Sequence, residues 1–302
     1  MKTSNKKTLI RLILGLLFLI VLGFGYRYYQ QNVSPTKVAF INYPEFSLAR
    51  ISKSNTNSSI KLDVLELDKL DVLRDYTAVF IFGRGFQMSP EQMQQLQNAG
   101  YAGLQLFVES ATNPNVDVTN LKGEDLDRVT EYFSYGGTEN YANLLAYVRS
   151  KMDGKTWYSD IPSEPIPVPS DVFLHKDEEA TFANLEDYQE YLEENGFFKA
   201  GQPKVALLTS VPGPFNSNRD HIDSLITMLE NRNLNVYTIS AATKRLEFLQ
   251  AIDPDLVILM PHGRLTLGQE KEATAWLKEK NIPLLTPLSV FLPYEDWVDD
   301  PQ

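Results

Sequence analysis

Eight short apolar runs, set in two groups of four and separated by helical patterns, constrain this chain more than any other feature. The first group covers 37–43, 60–67, 78–82 and 104–108; the second covers 204–209, 234–239, 256–260 and 283–286. Such runs read as buried strands, and their alternation with helical stretches requires crossover connections. The result is a mostly parallel sheet with helices on both faces. The expected fold class is therefore α/β, with two flavodoxin- or Rossmann-like parallel-sheet units after one N-terminal transmembrane helix. Helix signals support it. Ser89-Pro90-Glu91-Gln92 offers an N-cap serine, a proline at the first helical position and a capping-box glutamine. Residues 125–152 read as helix broken at Ser134-Tyr135-Gly136-Gly137, and Tyr141, Leu144, Leu145 and Val148 then form a core-facing stripe. Ile222, Leu225, Ile226 and Leu229 make a second such stripe.

The uncharged stretch 12–26 has no place in a globular unit. Its length alone suits a signal-peptide core. Extended to 8–29, with Arg11 and Arg27 at its ends, it makes a helix of about 33 Å, a match to a bilayer core. Tyr26, Tyr28 and Tyr29 fall where an interfacial aromatic belt belongs, and no convincing small-x-small cleavage site follows, which favours an uncleaved anchor. Lys2, Lys6, Lys7 and Arg11 precede it and no acid appears before Glu45, so the rest is expected outside the cytoplasm: a single-pass protein of the inner membrane with a periplasmic body.

The expected division is 1–36 for the cytoplasmic tip, anchor and spacer, and 37–152 for the first α/β unit. A Pro-rich and acidic linker with a short helix near 185–194 spans 153–202, and the second unit spans 203–302. That second unit is expected to be truncated, because Asp299-Asp300-Pro301-Gln302 arrives before a helix can cover the fourth strand. The net charge of −11 over 302 residues removes nucleic acid as a partner, since the chain lacks a basic face to replace phosphate counterions. The absence of cysteine removes disulfides, thiolate metal sites and cysteine nucleophiles together.

Two loops carry candidate chemistry. The first, 209–218, joins a strand to a helix, where amides gather around anions. It contains Phe215, Asn216 and Asn218, but Pro212 and Pro214 each remove a donor, so a rigid turn capped by Ser217 or Asn218 is favoured over a phosphate cradle. The second, Met260-Pro261-His262-Gly263-Arg264, follows a strand expected to be central. Arg264 suits a carboxylate and His262 is the one candidate metal ligand, against the simpler reading of a loop histidine bonded to backbone. Tyr135-Gly136-Gly137-Thr138-Glu139-Asn140 reads as a helix junction. No zincin motif, nucleotide-binding G-K-[ST] loop or nucleophile elbow occurs in the chain, so neither a catalytic apparatus nor a nucleotide site is visible.

Several stretches in order resemble the CobN-type large subunit of cobaltochelatase and magnesium chelatase. They are Glu131-Tyr132-Phe133-Ser134-Tyr135-Gly136-Gly137-Thr138-Glu139-Asn140 with Asn143-Leu144-Leu145-Ala146-Tyr147, then Phe182-Ala183-Asn184-Leu185-Glu186-Asp187-Tyr188 and Pro203-Lys204-Val205-Ala206-Leu207-Leu208. Asp223-Ser224-Leu225-Ile226 and Asp253-Pro254-Asp255-Leu256-Val257 complete the series. The resemblance covers roughly 37–302, the N-terminal portion of a much longer family. It implies a tetrapyrrole ligand (haem or a corrinoid precursor), metal insertion driven by a separate ATPase, and further chelatase or haem-uptake components as partners. The anchor departs from the soluble subunits and resembles membrane-anchored CobN-like proteins associated with haem uptake, where removal of the metal is the proposed chemistry. The runner-up expectation is a non-enzymatic extracytoplasmic ligand-binding or sensor module.

Overall fold

The structure, a computed structural model, describes residues 2–176, 180–210, 215 and 218–287. It divides into two compact units, 1–166 and 167–302.

The first unit opens with α1 (Lys2–Asn32), whose segment Leu12–Asn32 is long and apolar enough to cross a membrane, with a mean hydropathy of 1.8, a property that a signal sequence shares. The stretch after Gln30 expected to be a polar spacer continues the helix to Asn32. Four parallel strands follow: β1 (Thr36–Ile41), β2 (Ile60–Val64), β3 (Ala78–Phe82) and β4 (Gln105–Glu109), in the order β2-β1-β3-β4. Because strand side chains alternate, Val38 and Phe40 of β1 enter one core with Ala78 and Phe80 of β3, while Ala39 and Ile41 enter another with Val79 and Ile81. The first core is closed by α2 (Glu45–Ser54), α4 (Glu124–Tyr135) and α5 (Gly137–Tyr147); the second by α3 (Pro90–Tyr101). The Ser89 capping box forms with both of its hydrogen bonds. The expected break falls at Gly136 and Gly137, whose φ of 63° and 83° suit glycine where α4 turns into α5. Beyond α5 the helix widens into one π turn, Val148–Met152, which turns Arg149 fully inward.

The second unit holds β5 (Val172–Leu174), β6 (Thr181–Phe182), α6 (Leu185–Glu194), β7 (Lys204–Leu208), α7 (Asp220–Glu230), β8 (Asn235–Ser240), α8 (Arg245–Ile252), β9 (Leu256–Leu259), α9 (Glu270–Glu279) and β10 (Leu284–Leu285). The strand order is β10-β9-β7-β8-β5-β6. The four expected strands, β7, β8, β9 and β10, run parallel, and two further short strands make the sheet mixed: β5 runs antiparallel to β8, and β6 antiparallel to β5. The cause is local. Val172-Phe173-Leu174 is an apolar run short enough to hide among prolines, and all three side chains are buried once it adds to the open side of β8. The stretch expected as a linker, 153–202, is thus built into the folded units. Its start packs in the first unit through Asp153, Lys155 and Trp157, and its remainder supplies β5, β6 and α6 to the second.

Candidate functional site

In the second sheet, the order β9-β7-β8 reverses at β7: the chain moves from β7 to β8 on one side and then crosses to β9 on the other. The connections leaving β7 and β9 therefore diverge outside the carboxyl ends of the strands, where open α/β sheets bind ligands. The loop 260–264 and the described residues of the loop 209–218 lie at this edge.

The β9 loop is held close to β7. Ser210 Oγ donates to the carbonyl of Pro261 at 2.7 Å, and the Gly263 amide donates to the Met260 carbonyl at 3.1 Å. A β-carbon at Gly263 would lie 2.9 Å from that carbonyl oxygen and 3.4 Å from Ser210 Cα, so the tight approach needs glycine. His262 takes the left-handed conformation (φ 62°) with its side chain exposed, and Arg264 is exposed two residues on. Phe215 is half-buried on the β7–α7 connection. Asn218 Oδ1 accepts the Asp220 amide at 2.8 Å, closing the turn that enters α7. It sits one position ahead of Arg219, the residue at the helix cap, whose side chain makes no cap bond. Asn216, Ser217 and the Pro212-Gly213-Pro214 turn lie outside the described residues.

The residue that organises this edge escaped the sequence reading. Arg245, 2% exposed, donates from Nε to the Ala241 carbonyl at 2.7 Å, from Nη2 to the Thr209 carbonyl at 2.9 Å, and from Nη1 to the Arg264 carbonyl. One guanidinium thus joins the loops after β7, β8 and β9. Burial lowers its pKa, and the Asp171 charge works against that fall. Asp171, from the segment before β5, accepts the amides of Ala242, Thr243 and Lys244 at 2.6, 2.7 and 3.2 Å and so pins the turn that leads into α8. Burial raises its carboxyl, and those hydrogen bonds outweigh it and hold the group below the usual range. A signal for Arg245 existed: a cation in the first turn of a helix opposes the helix dipole and needs a reason to be there.

The first sheet reverses in the same way between β1 and β3. At its carboxyl edge Glu109 sits beside Tyr43, with Arg84 near enough to act on it electrostatically. Burial raises the Glu109 carboxyl, and Tyr43 and Arg84 pull it partly back. The Tyr43 hydroxyl is buried outside good hydrogen-bonding geometry, and burial with the nearby Glu109 charge pushes Tyr141 up to about 12. In sequence Tyr141 reads as part of a core-facing helical stripe, and Tyr43 and Glu109 pass as ordinary strand-end residues.

Two open depressions lie away from both edges. One, of about 450 Å³, runs along α6 between Glu186, Glu190, Glu193 and Lys204, and its carboxylates would repel an anionic ligand. The other, of about 560 Å³, lies between α9 and β10, lined by Leu265, Leu277 and Leu284. Among the described residues no cluster of three or more histidines and carboxylates could hold a metal ion.

The fold and these edges define a protein of two flavodoxin-ordered α/β units, the second carrying its exposed histidine and arginine at the switch point of the sheet. The sequence profile of the CobN/Magnesium Chelatase family matches residues 130–302, more than half of the chain, and the chain belongs to that family. Among solved structures it is similar to the catalytic subunit of cobaltochelatase from Mycobacterium tuberculosis, with a TM-score of 0.54 and 16% identity, over 87% of this chain and 22% of that one. At that identity the likeness shows the fold alone, and this chain spans about a fifth of that subunit's length. Two dehydrogenases also align: a D-lactate dehydrogenase from Sporolactobacillus (TM-score 0.25, 13% identity, 83% of this chain and 89% of that one) and a D-isomer specific 2-hydroxyacid dehydrogenase from Lactobacillus delbrueckii ssp. bulgaricus (0.26, 12%, 87% and 87%). Their scores are too low to carry an argument. No protein of curated function matches the chain.

Proposed function

We propose that the chain is the N-terminal part of a membrane-anchored CobN-type subunit that holds a tetrapyrrole, haem in the first instance, and that this part binds rather than reacts. The observation that carries the reading is the family match itself, which runs through both loops flanking the switch point of the second sheet. A tetrapyrrole offers an apolar face, carboxylate side chains and an axial position on its metal. The edge offers matching groups: Phe215 for the face, Arg264 for a carboxylate, Asn218 for a polar contact at the rim, and His262 as the one candidate metal ligand. Metal inserted into or removed from the ring is substrate, and the chemistry would fall to other parts of the assembly, whether further chelatase or haem-uptake components. The anchor reading rests on the length and apolarity of Leu12–Asn32, and the cations before it support a body on the periplasmic side of the inner membrane.

The test is titration of the full chain in detergent micelles with haem and with metal-free porphyrin, followed through the Soret band against protein-free micelles. Saturable binding in the micromolar range, roughly 8 kcal/mol, is expected. Spectra identical to the micelle blank at all concentrations would refute the reading.

A further inference from the structure

The end of α1 is tied into the first unit rather than left as a free stalk. The Asn32 carbonyl accepts the Trp157 amide at 3.2 Å, the Asn32 side chain accepts from Thr156 Oγ1 at 3.2 Å, and the Tyr28 hydroxyl accepts from Trp157 Nε1 at 3.0 Å. Lys155 is buried, donating to the Gln30 carbonyl and to Ser34 Oγ at 2.9 Å. Behind this loop lies Arg149, with no exposed surface. Its Nη1 donates to the carbonyls of Ser34 and Ser59 at 3.2 Å and to Thr36 Oγ1 at 3.0 Å. Its other nitrogens donate to the carbonyls of Trp157 at 2.6 Å and Tyr158 at 3.0 Å. The helix end, the starts of β1 and β2, and the loop 153–160 are therefore one hydrogen-bonded block at the amino edge of the sheet.

This block turns apolar side chains outward. Trp157 is 50% exposed, Tyr158 68% and Ile161 94%. Tyr158 holds a φ of 54°, a left-handed conformation that is costly for a bulky residue and persists only where its surroundings enforce it. The enforcing groups are Arg149 and Asn57, whose Nδ2 reaches the Tyr158 carbonyl and Asp160 Oδ2, both at 2.8 Å. A buried cation and a strained turn thus serve to present three apolar side chains to solvent, which water disfavours. The hydrogen bond from Trp157 to Tyr28 places the display beside the last turns of the apolar helix.

Resting on the anchor reading above, we propose that Trp157, Tyr158 and Ile161 seat in the interfacial layer of the bilayer that α1 spans. Tryptophan and tyrosine favour that layer because one end of each ring is apolar and the other hydrogen-bonds. The contact is continuous with the anchor, and the charges of Arg149 and Lys155 are already satisfied inside the protein, so neither resists it. The amino edge of the first unit is thereby fixed toward the membrane and its carboxyl edge is directed away.

The chain has no cysteine, so single cysteines report cleanly. Full-length I161C, and Q87C in the exposed turn after β3 at the opposite edge, are labelled with an environment-sensitive nitrobenzoxadiazole dye. Both are reconstituted into phosphatidylcholine vesicles with and without brominated acyl chains. The expected result is flotation of both proteins, blue-shifted emission from I161C alone, and roughly twofold or greater quenching of I161C alone by brominated lipid. Replacing Trp157 and Tyr158 by serine in the I161C protein should preserve flotation and reduce that quenching; unchanged quenching would count against the proposal. Flotation with identical emission from I161C and Q87C overturns the membrane contact and leaves the anchor standing. Failure to float overturns both. Shielding of I161C from aqueous iodide only when a second protein is added, with no quenching by brominated lipid, overturns the contact in favour of a protein partner.

Discussion

Arg245 donates to the carbonyl oxygen of Thr209 at 2.9 Å, joining the first turn of α8 to the end of β7. The same guanidinium holds the carbonyls of Ala241 and Arg264, so one buried side chain joins the loops at the carboxyl edge of the second sheet. Arg245→Met keeps much of the volume and removes every donor. Three inward carbonyls then lose their partner, and the second unit should lose about 3 kcal/mol, read from the shift in its denaturant midpoint. A shift below measurement error would show that water or a rearranged loop replaces the guanidinium without cost.

Glu230 pairs with His175 at 2.7 Å and with Lys176 at 2.5 Å, linking α7 to the end of β5. Burial raises the Glu230 carboxyl, and hydrogen bonds from His175 and Lys176 more than reverse that, so it ionises below its ordinary value of 4.5. A depressed carboxyl stabilises the fold above the unfolded value, and that contribution is lost as pH falls through the folded one. Denaturation profiles should therefore weaken below about pH 4.5, and Glu230→Gln should flatten that acid limb while costing about 2 kcal/mol at neutral pH. An acid limb equally steep in the variant would show that other carboxylates set it.

Glu109 has the opposite sign. Its carboxyl is raised, mainly by burial, so the folded state holds its proton longer than the unfolded chain does. Its contribution is present below the ordinary carboxylate value and is lost as pH rises through the higher folded one. Glu109→Gln should accordingly raise the stability of the first unit at neutral pH and leave it nearly unchanged at pH 4. Lower stability of the variant at neutral pH would mean that Tyr43 and Arg84 depend on the carboxylate charge.

The capping box at Ser89 and the glycine break between α4 and α5 were legible in the sequence because each depends on contacts within a few residues, and the eight expected strands because each is a short apolar run. β5 and β6 were not: two to three residues carry no usable periodicity, and β5 enters the sheet by pairing with the distant β8, with β6 pairing in turn on β5. Arg149 and Arg245 were hidden for a related reason. A lone arginine in a helical pattern resembles a solvated surface residue, and its burial becomes visible only when carbonyls from three or more segments converge on it. For the candidate site, the positions of His262 and Arg264 followed from strand order, whereas the brace beneath them did not.

The central claim is that a tetrapyrrole sits at the edge where the β7 and β9 loops meet. The most direct measurement is a haem titration of the full chain beside His262→Ala and Arg264→Ala. Arg264→Ala should weaken binding about tenfold, equivalent to roughly 1.4 kcal/mol. His262→Ala should change the Soret position as an axial nitrogen is lost. Two variants that bind haem with the affinity and spectrum of the unaltered chain would place the ligand elsewhere and contradict it.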